Sequence, residues 1–218
     1  MPANAREAQG RGPDIGIAPG DLGTLQAFVN TLDIEQGTDE LASPADLDAW
    51  LRRAGLADGP ADPSGPRELS VAIELREGLR AVLRTHVTPR SAAGNRRQPA
   101  ASPILDAGAG DRRAAAAAAR VATVAAAMRA EIDVDPNGRV VVVPVGAGAR
   151  AGLTRLLLIG AEAATAGTWT RLKVCSADDC QWAFYDRSPT HSGCWCSMQI
   201  CGSRAKSRAY RSRAARAG

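Results

Sequence analysis

Four cysteines near the end of the chain have the residue type and spacing of a metal site. Four residues separate Cys175 from Cys180 and Cys196 from Cys201, and fifteen residues lie between the two pairs. Each pair brings two thiolates together on a short turn, and the intervening loop lets the pairs face each other around a tetrahedral ion. The spacing therefore predicts that these four side chains bind one structural Zn²⁺ per chain.

The fifth cysteine and a nearby histidine leave other ligand sets open. Cys194 could replace Cys196 as a ligand, and His191 could join the site, although the equal spacing of the two pairs favours Cys196. A disulfide cluster, inert thiols and iron–sulfur ligation are the alternatives to zinc. Clustered thiols in a reducing compartment favour zinc over disulfides.

A run of basic residues after Cys201 is the second feature that could do chemistry. From 171 to 218 the chain has nine Lys/Arg and three Asp/Glu, a net charge of +6, whereas the remainder has a net charge of −2. The segment after Cys201 contains no acid, which favours an anionic partner such as DNA. A solvated tail without a partner is the alternative. The candidate nucleic-acid-binding residues are Arg204, Lys206, Arg208, Arg211 and Arg213.

A third candidate site lies in the N-terminal half, where four residues could line a pocket for a small-molecule effector. Phe28 and Trp50 stand on the apolar faces of two predicted helices, and Asn30 and Asp33 follow the first of them. Core packing explains the two aromatic residues equally well, and helix capping explains the two polar ones.

Enzymatic activity and a membrane location are not expected. The chain has two histidines, His86 and His191, and lacks a Ser–His–acid set, an H-E-x-x-H motif and a phosphate-binding glycine loop. A zinc ion held by four thiolates has no open position for a substrate. No apolar run approaches the roughly 18–20 residues of a membrane span, and residues 1–20 lack the apolar region of a secretory signal. We expect a cytoplasmic protein.

The elements that would position these residues indicate a mainly α-helical fold with a small β-hairpin. Apolar residues recur at helical spacing in five segments, near 21–32, 43–54, 68–86, 111–129 and 149–166. Asn137-Gly138 between β-branched runs predicts a hairpin near 131–145. We expect a disordered arm at 1–19, a helical domain at 20–167 with a flexible connection at 88–103, and a zinc module at 168–218 that ends in a basic helix.

Several motifs resemble two known families. Trp182-Ala-Phe-Tyr-Asp-Arg-Ser, followed by Trp195-Cys-Ser-Met-Gln-Ile-Cys-Gly-Ser-Arg-Ala-Lys, is similar to the CGNR zinc finger. Phe28-Val-Asn-Thr-Leu-Asp and Asp46-Leu-Asp-Ala-Trp-Leu resemble the stress-associated helical domain called ABATE. The resemblance implies a transcription regulator that binds zinc through its four paired cysteines. Two departures stand out, because Ser203 replaces the Asn of the naming motif and the loop at 189–194 lacks the arginines common in the family.

Two functional hypotheses follow. In the first, the protein is a transcription regulator that binds DNA through its basic helix, while the helical domain senses a ligand or forms a homodimer. In the second, the protein senses a small molecule or binds another protein, and its zinc finger is purely structural.

Overall fold

The computed structural model describes residues 15–57, 63–87 and 103–217. The predicted arm up to residue 14 and the predicted connection from 88 to 102 lie outside the described residues. The described part is mainly α-helical with small two-stranded sheets, which confirms the predicted fold class. Its helices are α1 (Leu22–Val29), α2 (Pro44–Arg53), α3 (Pro66–Thr85), α4 (Pro103–Ala125), α5 (Gly148–Thr165) and α6 (Ser203–Ala217).

Within the described residues, six short strands pair as three antiparallel hairpins, β1 with β2, β3 with β4 and β5 with β6. Only the second of these hairpins was predicted as such. The strands are β1 (Leu32–Asp33), β2 (Thr38–Asp39), β3 (Ala130–Val134), β4 (Val140–Pro144), β5 (Leu172–Val174) and β6 (Ala183–Tyr185).

Hydrogen bonds from capping side chains set the start of helices α2 and α3. The Ser43 hydroxyl accepts the amide of Asp46 at 3.2 Å and caps α2, as the sequence predicts. The Glu68 carboxylate accepts the amide of Gly65 at 3.0 Å, so α3 begins at Pro66, two residues earlier than predicted. Proline suits the first helical turn because that position needs no amide donor.

The hydrophobic core of the helical domain lies between α1, α2, α3 and α5. Phe28 and Trp50 are almost completely buried there, with ring centroids 5.3 Å apart. Leu25, Leu75 and Leu156 are fully buried beside them. The alanine-rich helix α4 packs closely against α3. The apolar periodicity of the sequence therefore places this core well, because each helix buries the face that its spacing defines.

The hairpin of β3 and β4 turns at the predicted Asn-Gly pair, where Gly138 has a φ of +78°. Ile132 pairs with Val142 and Val134 pairs with Val140, so all four side chains share one face of the hairpin. That face is exposed to solvent. Within the part of the chain that the structure describes, no helix has the length and hydrophobicity that crossing a bilayer requires.

The end of the predicted arm is packed against the rest of the protein. The amide of Tyr185 donates to the carbonyl of Gly16 at 2.8 Å, and Ala18 is buried. A Cβ at residue 16 would lie 2.0 Å from the carbonyl oxygen of Tyr185, so the close approach requires glycine. Residues 15–19, expected to be disordered, are therefore docked beside β6.

Candidate metal centre

A short turn after β5 brings the first pair of cysteines together. The amide of Cys175 donates to the carbonyl of Trp182 at 2.9 Å, which extends the β5–β6 hairpin to the cysteine. The amide of Cys180 donates to the carbonyl of Ala177 at 3.0 Å and closes the turn. Gln181 then adopts a positive φ of 50°, and the chain reverses into β6. The hairpin thus presents both thiols from one edge.

The second pair is positioned by a tight helical turn. The Ser197 hydroxyl accepts the amide of Ile200 at 3.3 Å, and the Ser197 carbonyl accepts the amide of Gly202 at 3.0 Å. A single π-helical turn, Met198–Gly202, joins this cap to α6. Cys201 therefore lies one residue before the turn ends, and α6 begins directly beyond it.

The four predicted ligands converge on one point. The sulfur of Cys196 is 3.7 Å from that of Cys180 and 3.7 Å from that of Cys201. The four sulfur atoms, including that of Cys175, lie within 4.8 Å of one another, and all four residues are buried. Tetrahedral zinc with bonds of about 2.3 Å would separate its sulfur ligands by about 3.8 Å. The spacing fits a tetrahedral ion and is too long for a disulfide, whose sulfurs lie about 2.05 Å apart.

The electrostatics of the cluster also favour a bound cation. Contacts with Cys180 raise the pKa of Cys175, and contacts with Cys175 and Cys180 raise that of Cys196. Burial and the neighbouring thiols raise the pKa of Cys201 to about 12. The thiols of Cys175, Cys196 and Cys201 therefore resist ionisation, and a divalent cation would supply the positive charge that stabilises thiolates at this site.

Among the described residues, neither Cys194 nor His191 belongs to the cluster of possible metal ligands. Cys194 is buried, and its carbonyl accepts the amide of Ser176 at 2.9 Å, which ties the segment before the second pair to the first turn. His191 is exposed at the surface of the loop and has a positive φ of 51°. The cluster consists of Cys175, Cys180, Cys196 and Cys201.

A buried ion pair, which the sequence patterns did not predict, holds the loop between the two cysteine pairs. The ammonium group of Lys173 donates to the Asp186 carboxylate at 2.8 Å and to the carbonyl of His191 at 2.6 Å. Asp186 also accepts the amides of Ser188 and Gly193. Burial raises the pKa of Asp186, but these hydrogen bonds outweigh it and lower that pKa to about 2. The sequence held one signal of this ion pair, which is the lysine between two apolar residues in the strand Leu172-Lys-Val.

The basic helix α6 leaves the metal cluster, and most of its described side chains are exposed. Arg204, Arg208 and Arg211 line one groove together with Gln199 and Ser207, as their i, i+4, i+7 spacing predicts. Lys206 is exposed as well, and the side chain of Arg213 lies outside the described residues. A guanidinium nitrogen of Arg204 lies 2.5 Å from the Glu35 carboxylate, and one of Arg208 lies 3.9 Å from Asp179.

The four candidate pocket residues all have contacts within the protein. Phe28 and Trp50 belong to the core described above. The side-chain amide of Asn30 accepts the amide of Ala183 at 2.7 Å and donates to its carbonyl at 3.0 Å. Asp33 accepts the amide of Gln36 at 3.0 Å in the turn between β1 and β2. These contacts satisfy the polar groups without an effector, and the pocket stays a prediction.

Buried polar side chains join the helical domain to the finger. Asn30 and Gln26 of the helical domain both bind the backbone of Ala183. The Arg80 guanidinium donates to the carbonyl of Gln181 at 2.9 Å. The ring nitrogen Nδ1 of His86 lies 2.8 Å from the carbonyl of Leu172, and burial lowers the pKa of that histidine. The finger is therefore fixed to the helical domain along both strands of its hairpin.

Comparisons with known families agree with these two parts of the chain. Residues 171–214 match the family model of the CGNR zinc finger, and residues 24–169 match that of ABATE, described as "Putative stress-induced transcription regulator". No curated protein sequence matches the chain. The ABATE match spans well over half of the chain and confirms the resemblance seen in the sequence. The protein belongs to the ABATE family and carries a C-terminal CGNR zinc finger.

Proposed function

We propose that this protein is a DNA-binding transcription regulator in which one structural zinc ion holds the basic helix α6 in place. The observation that carries the proposal is the position of α6, which begins two residues after Cys201 and exposes Arg204, Lys206, Arg208 and Arg211. Arg204, Arg208 and Arg211 line one groove, so a phosphate backbone could contact all three. The match to a family described as a regulator supports the same function.

The proposed zinc ion has a structural role. The finger has a small core of its own, formed around the four cysteines by Trp182, Phe184 and Trp195. Structural zinc contributes roughly 10–16 kcal/mol of apparent binding free energy in small fingers. Four thiolate ligands fill a tetrahedral shell, so the proposal assigns the metal no catalytic step and the protein no enzymatic activity. Reduced thiols at this site fit a protein that acts in the cytoplasm.

Metal analysis tests the zinc component. We expect one zinc per chain in the purified protein, and we expect Cys175→Ser to lose it. Cys194→Ser is the matched control, because Cys194 is buried in the same finger but stands outside the cluster. Equal loss of zinc from both variants, or retention in both, would contradict the assignment of ligands.

DNA binding is tested by substituting α6. We expect Arg208→Ala with Arg211→Ala to weaken binding to a labelled duplex at low salt, measured by fluorescence anisotropy. The control replaces Arg112 and Arg113 by alanine, since both are exposed on α4 and the loss of charge is the same. Binding that falls equally in both double variants would show a general effect of charge and would sink the proposed role of α6.

The second candidate function is a sensor or interaction protein whose finger serves as structure. The contacts of Asn30, Arg80 and His86 with the β5–β6 hairpin and its turn favour it, because they fuse the finger to the helical domain. Native mass spectrometry of the zinc-loaded protein distinguishes the two. A co-purified small molecule or protein, together with no binding to any duplex or RNA at low salt, would favour the second function.

A further inference from the structure

Two carboxylates from outside α6 contact its arginines. Glu35 lies 2.5 Å from Arg204 and belongs to the turn between β1 and β2 of the ABATE domain. Asp179 lies 3.9 Å from Arg208 and belongs to the first cysteine turn of the finger. The shorter contact therefore joins the ABATE domain to the first turn of the proposed DNA-binding helix.

The turn that carries Glu35 is held firmly on α3. Arg76 makes two hydrogen bonds with the Asp39 carboxylate, at 2.7 Å and 2.9 Å, after the turn. Arg80 donates to the carbonyl of Leu32 at 3.3 Å before it. Both arginine side chains are almost completely buried, so neither end of the turn moves freely. Glu35 is presented to α6 from a fixed support.

The start of α6 does not depend on Glu35. The Ser197 cap and Cys201, which belongs to the metal cluster, already fix the π-helical turn that leads into the helix. The hydroxyl of Ser203 donates to the carbonyl of Met198 at 3.2 Å and adds a further constraint. The contact of Glu35 with Arg204 therefore adds little to the construction of the helix.

A carboxylate and a phosphate bind a guanidinium through the same charge-assisted hydrogen bonds. The side chain of Arg204 is 48% exposed, and that of Glu35 is 30% exposed, so the pair lies at the protein surface, beside the groove that Arg204 lines. A phosphate that approaches Arg204 there meets a guanidinium that already donates to Glu35, and it is repelled by the negative charge of that carboxylate. Glu35 thus reduces the positive charge that the groove offers to DNA.

We propose that Glu35 competes with a nucleic-acid phosphate for Arg204, so that the ABATE domain lowers the affinity of the basic helix. The inference rests on the proposed DNA-binding function and names a regulation of the same site. A change that moves the β1–β2 turn would release Arg204 and strengthen binding.

The first test compares Glu35→Gln with the wild type in zinc-loaded full-length protein. We expect the variant to bind a labelled duplex about two- to fivefold tighter, since exposed ion pairs are modest in strength. The slope of log K against log salt should become steeper by about 0.9, the value for one additional phosphate contact. Glu40→Gln is the control, because it removes the same charge from the ABATE domain and Glu40 contacts Arg53 on α2.

A double-mutant cycle separates competition from a structural role. In the wild-type background, we expect Arg204→Ala to lower DNA affinity less than it does in the Glu35→Gln background, because Glu35 already occupies the guanidinium. In the Glu35→Gln background, the same substitution should reverse the gain in affinity and in salt slope. Circular dichroism and zinc content show whether each variant keeps its fold.

The outcomes distinguish this inference from the function on which it rests. Wild-type protein that binds DNA, together with equal or weaker binding by Glu35→Gln, would overturn the competition and leave the DNA-binding function standing. The competition would also be overturned if Glu40→Gln raised affinity as much as Glu35→Gln. Failure of both the wild type and Glu35→Gln to bind any duplex at low salt would overturn the proposed function and this inference together.

Discussion

Single buried polar residues determine the shape of the finger. Lys173 and Asp186 form an ion pair whose side chains are 2% and 4% exposed, and together they hold the loop that leads into the second cysteine pair. The Lys173 ammonium also contacts the carbonyls of His191 and Gly193. Removal of one partner from such a pair leaves a buried charge without its counterion, which costs more free energy than the intact pair contributes.

Asp186→Asn should lower the free energy of unfolding by about 3–5 kcal/mol at pH 7, because it leaves the Lys173 charge uncompensated. Chemical denaturation of the zinc-loaded protein measures the change. Asp179→Asn is the control, since Asp179 is an exposed acid of the same finger, and we expect a change of at most about 1 kcal/mol.

The effect of Asp186→Asn should not vary between pH 8 and pH 5. The pKa of Asp186 is about 2 in the folded protein, against about 3.9 in an unfolded chain. The carboxylate therefore contributes its full stabilisation above about pH 4, and the contribution is lost as the pH falls toward 2. A difference between wild type and variant that shrinks from pH 8 to pH 5, with zinc still bound, would contradict the lowered pKa.

Asn30→Ala tests the joint between the two domains at the level of one side chain. The substitution removes the acceptor of the Ala183 amide and one donor to its carbonyl, so we expect a loss of about 1–3 kcal/mol in unfolding free energy. Hydrogen exchange at the Ala183 amide should accelerate. Gln36→Ala, at an exposed amide, is the control. An unchanged exchange rate at the Ala183 amide would show that its hydrogen bond to Asn30 does not hold the two domains together.

At the scale of elements, close packing of helices depends on small residues at particular positions. Gly152 of α5 faces α2 and the residues after it, and an added Cβ would lie 2.9 Å from Leu51 and 3.1 Å from the carbonyl of Leu56. Gly160 of the same helix has more room, because its nearest neighbours would lie at 3.5 Å and beyond. Periodicity in the sequence predicts α5, but the difference in space around Gly152 and Gly160 depends on the segments packed against that helix.

Gly152→Ala and Gly160→Ala should therefore differ in their effects on stability. We expect Gly152→Ala to cost about 1–3 kcal/mol, because the backbone carbonyl of Leu56 cannot yield as a side chain can. Gly160→Ala should be neutral or stabilise the protein by up to about 1 kcal/mol through helix propensity. Thermal unfolding of both variants measures the difference, and equal effects would mean that α5 is not packed as described.

The sequence predicts an element well where neighbouring residues determine it, and poorly where distant residues support it. Asn137-Gly138 indicates the β3–β4 hairpin directly, and Ser43 and Pro44 indicate the start of α2. The β1–β2 hairpin was missed, because each of its strands has two residues and its support comes from Arg76 and Arg80 on α3. Charged residues with helical spacing predict a solvated face, and only the tertiary structure shows these two arginines buried.

At the scale of the whole molecule, the finger and the helical domain form one packed structure. The four cysteines could be grouped from their spacing alone, since each pair is local in sequence. The docking of the finger onto the helical domain could not be predicted from the sequence. Asn30 contacts Ala183 across 153 positions, and Arg80 contacts Gln181 across 101. Such contacts have no local signature in the sequence, and they link the metal cluster to the core of the helical domain.

Removal of zinc should therefore destabilise the helical domain as well as the finger. We expect a chelator to lower the melting temperature of the whole protein and to accelerate hydrogen exchange in α1, which carries Gln26 and has Asn30 as its C-cap residue. Addition of zinc should restore both. Amides of α1 that stay fully protected while those of the finger exchange would show that the two parts unfold independently.

The central claim is that the zinc-held helix α6 binds the phosphate backbone of DNA. The most direct measurement is the salt dependence of duplex binding by the zinc-loaded wild type and by Arg208→Ala with Arg211→Ala. We predict that log K falls with log salt, and that the double variant reduces the slope by about 2 while it retains zinc. Wild-type protein that binds no duplex at low salt, or a slope that the double variant leaves unchanged, would contradict the claim.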